Sequence, residues 1–160
     1  MYDDGGRLIV RDDESEVNPM PTFKSLAALE SHIKKCIDNA LQDEVLDVVK
    51  EYEQQAIDGT VYAAYSPKKY SRRMDGGGLR SEGNMQGVVG GGVLTVTNTT
   101  PVTGGPGNLP MIIEGGVGGR SEAYAMSRPF TQDTVAYLAG DDAHTKALKA
   151  GLESQGIECV

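Results

Sequence analysis

Tryptophan is absent and phenylalanine occurs only twice in 160 residues, so aromatic side chains make up 6% of the chain. Aromatic residues supply the largest single contributions to a buried core, so this core has to be assembled mainly from aliphatic residues and methionine. Two cysteines, Cys36 and Cys159, are too few for a disulfide framework. Two histidines, His32 and His144, stand far apart with no metal-ligand spacing, and neither a metal nor a cofactor is expected. No apolar run approaches the roughly 18 to 20 residues of a membrane span. The start, MYDDGGRLIVRDD, has neither the basic opening nor the apolar core of a signal peptide. The expectation is synthesis in the cytoplasm and no membrane partner. Positive charge is also scarce. Fifteen Lys and Arg against 23 Asp and Glu give a net charge of -8 and a pI near 4.7, which disfavours a general attraction to nucleic acid.

Glycine, by contrast, is abundant and clustered: 15 of the 21 glycines lie in residues 76–119. A segment in which one residue in three has no side chain buries little apolar surface by itself. Its stretches at 74–92 and 103–121 are expected to be assembly loops, poorly ordered in the free subunit and completed by neighbours. A phosphate-loop reading fails in detail, since no GxxxxGK[ST] pattern is present.

Residues 1–21 read as an acidic, flexible tail with one apolar triplet at 8–10. Residues 22–160 read as a single domain. Leu26, Leu29, Ile33, Ile37, Leu41, Val45, Val48, Tyr52 and Ala56 recur in steps of three and four, which predicts a helix over 22–58 with Thr22 as cap and Gly59 as stop. A helix of that length, about 50 Å, either lies across a sheet or packs its exposed end against another subunit. Strand composition appears at 61–65, 88–89, 93–100 and 111–114, with a loop over 104–110. Asn98-Thr99-Thr100 matches a glycosylation acceptor but reads better as strand residues entering a turn. Helices follow over 128–140 and from Ala143, and the last four residues, IECV, read as a closing edge strand. The fold class is α+β: a long N-terminal helix on a small antiparallel, glycine-interrupted sheet with long loops, a C-terminal helical pair and a closing strand.

No Ser, His and Asp set forms a recognisable catalytic motif, and enzymatic activity is not expected. The acids Asp43, Glu44, Asp47 and Glu51 describe a solvated or interface-facing helix surface. Lys68, Lys69, Arg72, Arg73 and Arg80 form a basic island opposed only by Asp75, with Tyr65 and Tyr70 interleaved. Such an island serves as a solvated loop, as a patch facing the acidic helix of an identical neighbour, or as a nucleic-acid surface on which bases stack. Separate acidic and basic faces suit head-to-tail association into rings. Arg128, Pro129 and Phe130 read as a helix start, with Pro in the first turn and Phe either in the core or in a partner contact.

The pieces PTFKSLAALE, YSPKKYSRRMDGGGL, LTVTNTT, MIIEGG, SRPFTQDTVAYL and LKAGLESQGIECV, together spanning about 22–160, give the chain an order of features that resembles the small neck or tail-completion proteins of long-tailed double-stranded DNA bacteriophages. The resemblance implies a non-catalytic virion protein forming a ring of six or twelve copies at the head-tail junction. Portal or connector proteins would lie on one side and tail terminator or tail tube proteins on the other, with DNA passing through the lumen. Alternatives are a head-closure or tail-terminator subunit of the same junction, or, in a different class, a small cytosolic nucleic-acid-binding protein using residues 68–80.

Overall fold

The computed structural model describes residues 22–64, 66–68, 71–103, 107–116 and 126–159. Helix α1 (Leu26–Ala40) runs through a π-helical turn (Leu41–Val45) into α2 (Leu46–Ala56) and then into a second π-helical turn (Ile57–Tyr62). The Oγ of Ser25 accepts a hydrogen bond from the Ala28 amide at 3.2 Å and starts the helix, so the cap is Ser25 rather than Thr22. Gly59 does not stop it either. It sits inside the second π turn, where the Ala63 amide donates five residues back to the Asp58 carbonyl at 2.9 Å. Residues 61–64 therefore form no strand, and Val61 is buried on the helix; residue 65 lies outside the described residues.

The π turns also correct the expected stripe. The Leu46 amide donates to the Leu41 carbonyl, again five residues back, and such a turn adds about one residue, or about 100° of rotation. Burial accordingly passes from Cys36 and Ala40 to Val45 and Leu46, then to Glu53, Ala56, Ile57 and Val61. Leu41, Val48 and Tyr52, which the straight stripe places inside, are only half-buried.

Strands β1 (Met85–Gly90) and β2 (Val93–Asn98) pair antiparallel, with Met85 opposite Asn98 and Gly90 opposite Val93. Gly91 and Gly92, at φ 63° and 79°, close the hairpin in the doubly left-handed turn that matches strand twist. The Gly92 amide donates to Asp38 Oδ1 at 2.9 Å, tying the turn to α1. At Gly87 the hairpin approaches the long helix so closely that a Cβ would stand 2.6 Å from the Leu46 methyl carbons.

The strand expected over 111–114 is instead α3 (Leu109–Gly115), which begins inside the expected loop. Asn108 Oδ1 accepts from the Met111 amide at 3.2 Å and Pro110 occupies the first turn, a combination that starts a helix. Helices α4 (Phe130–Asp141) and α5 (Ala143–Ser154) meet at Asp142, which takes a left-handed conformation at φ 55°. Gly156 then ends α5, with the Ile157 amide donating to the Leu152 carbonyl at 3.0 Å. Residues 157–159 add no strand, and among the described residues the sheet has two strands. The architecture is α+β, with a long N-terminal helix, a small antiparallel sheet and C-terminal helices.

Ile57, Val61, Leu79, Met85, Ile113 and Phe130 form the core between the second half of the rod, the hairpin, α3 and α4. Beside it lies a buried polar knot. Asn98 Nδ2 donates to Glu53 Oε1 at 2.7 Å and to the Leu79 carbonyl at 2.8 Å, while its Oδ1 accepts from the Thr100 hydroxyl at 2.6 Å. Asn98 is thus an interior residue holding the end of β2.

Candidate functional site

The described arginines of the basic island make contacts within the chain. Arg72 Nη1 donates to the Tyr62 carbonyl at 3.0 Å, and its guanidinium lies 4.7 Å from the centre of the Tyr62 ring. Burial pushes the Tyr62 phenol above its ordinary range, an effect that the cationic Arg72 and Arg80 oppose. Arg73 Nη2 donates to the Pro101 carbonyl at 3.0 Å. Arg80 places Nε 3.3 Å from Asp58 Oδ2 and Nη1 3.6 Å from Asp75 Oδ1. Lys68 is exposed. Tyr65, Lys69 and Tyr70 lie outside the described residues. The three arginines therefore act as intramolecular staples between the end of the rod, the glycine-rich turns and the segment after β2.

Those turns are built within the chain. Gly76 and Gly78 amides donate to the Arg73 and Met74 carbonyls at 2.8 and 3.0 Å, and Leu79 is buried in the core. A Cβ at Gly78 would stand 2.5 Å from the Met74 carbonyl oxygen, so the turn needs glycine there. Gln54, Asp75, Arg80, Ser81, Glu82 and Gly83 line an open polar cleft of about 400 Å³. Its one guanidinium already faces Asp75, and Glu82 adds a second carboxylate, so the cleft has no surplus positive charge to hold an anion.

The acidic residues divide. Asp43, Asp47 and Glu51 are exposed, and Asp47 Oδ1 sits 3.7 Å from Lys50 Nζ. Glu44 instead turns toward α5, where its Oε2 would lie 2.7 Å from a Cβ built on Gly151. Arg128, Pro129 and Phe130 form a helix start: the Arg128 amide donates to the Ile113 carbonyl at 3.1 Å, Pro129 caps α4, and Phe130 is 1% exposed within the core. No helix of the described residues is long and apolar enough to cross a membrane, and among them no group of three or more His, Cys, Asp or Glu is placed to hold a metal ion.

The feature that residue-type reasoning did not locate is apolar. The C-terminal end of α5 reaches α1 at Cys36 and Asn39: Gln155 Nε2 donates to the Cys36 carbonyl at 2.9 Å, and Gln155 Oε1 accepts from Asn39 Nδ2 at 3.0 Å. The stripe continues toward the N-terminus past that point, with Leu26 81% and Ile33 39% exposed. Phe23, 5.0 Å from the His32 ring, lies at the same end. Other exposed apolar side chains stand on the hairpin (Val88 and Val93), on α3 (Met111), at Met126 and on the outside of α4 (Val135). The sequence carried a signal for the first surface, because the helical stripe was longer than any partner element the rest of the chain offered.

No curated protein and no solved structure matches the chain. A family model, YomN, matches residues 25–154, from the cap of α1 to the end of α5. That match spans every described helix and strand, and the chain belongs to the phage-associated YomN family.

Proposed function

We propose that this protein is a structural subunit of a phage particle that assembles with copies of itself at the junction of head and tail. In this reading it forms a ring that completes the tail or the connector, contacts portal-side and tail-side proteins on its two faces, and lets DNA pass through its lumen. Its role is binding rather than catalysis. The observation that carries the reading is the apolar stripe of α1, which among the described residues runs beyond the contacts of α5 at Cys36 and Asn39 and leaves Leu26 and Ile33 exposed in a chain of a phage-associated family. Soluble monomers seldom leave a contiguous apolar stripe open unless something binds it.

The test is genetic and visual. Deleting the gene from the phage that carries it is expected to leave filled heads and separate tails, and a gold-labelled copy is expected at the junction in negative stain. A label along the tail or over the capsid, or normal joined particles from the deletion, overturns the reading. The island at 68–80 supports a nucleic-acid role less well, because Arg72 and Arg73 donate to carbonyls of their own chain and Arg80 is ion-paired with Asp58 and Asp75.

A further inference from the structure

We draw no further inference here: the strongest candidate, the uncharged hairpin of β1 and β2 with Val88 and Val93 exposed on its outer face, is an apolar sheet face, and nothing in the structure shows what covers it.

Discussion

Gly151 of α5 lies against Ala40 of α1 so closely that a methyl group on it would stand 2.7 Å from the Ala40 Cβ. The contact falls where α1 passes into the first π turn, and Glu44 from that turn crowds the same spot. Gly151→Ala is expected to destabilise the fold by about 1–3 kcal/mol, since added volume in a close-packed contact displaces backbone. A lowered midpoint in urea unfolding with an unchanged slope checks it. An unchanged midpoint means that α5 shifts outward at no cost.

A parallel pair joins the hairpin to the rod. Gly87→Ala brings a methyl carbon against the Leu46 methyls and should destabilise, as should Leu46→Ala through the cavity it leaves. The double variant is expected to be less destabilised than the sum, because the shortened side chain makes room for the added methyl. Thermal unfolding of the four proteins closes the cycle, and strict additivity would show that the two residues do not meet.

Burial raises the Glu53 carboxyl above its usual range; the hydrogen bond from Asn98 opposes this and the nearby Glu114 adds to it. A carboxyl with a raised folded-state pKa binds its proton more tightly when folded, so it costs stability progressively as pH rises from its unfolded value through its folded value. Glu53→Gln keeps an acceptor for Asn98 and removes the charge. The variant should gain stability relative to wild type as pH rises from the ordinary carboxylate range toward neutrality, then hold that gain. Urea midpoints of both proteins across this range test the sign.

Arg72 links the rod's last turn to the basic segment through the Tyr62 carbonyl and ring. Arg72→Ala is expected to lower stability by about 1–2 kcal/mol through the lost charged hydrogen bond and stacking. Arg72→Lys should recover only part of it, because an ammonium lacks the planar fork. A variant of wild-type stability that no longer assembles would assign Arg72 to an interface instead.

Phe130→Ala should be among the most damaging single changes, costing about 3–5 kcal/mol, since the ring fills the centre of the core. Melting of the protein by circular dichroism decides between that and a partner contact, which would leave the melting point in place.

Much of the helical framework was legible because long amphipathic periods are strong signals: the rod, α4 and α5 were expected close to where they occur, whereas residues 85–90, read as part of a glycine-rich loop, form β1. What failed was local. Residues 111–114 look strand-like, but the capping by Asn108 and the Pro110 just after it decide in favour of a helix. Residues 61–64 have β-branched and aromatic character, yet burial of Ile57 and Val61 on one helical face overrides that preference. The candidate interaction residues were harder still. Side-chain type identifies a guanidinium, but only tertiary contacts reveal that Arg72 and Arg73 donate to carbonyls within the chain and that Arg80 pairs with Asp58 and Asp75.

The π turn at Leu41–Val45 acts as a phase shifter in a single spine. Ahead of it the rod addresses α5; behind it, the same rod addresses the hairpin and α4 from a different azimuth. One surplus residue thus lets a straight element serve two layers that do not lie on the same side of it. The register between the start of the rod and the core is thereby set by backbone hydrogen bonding within the turn.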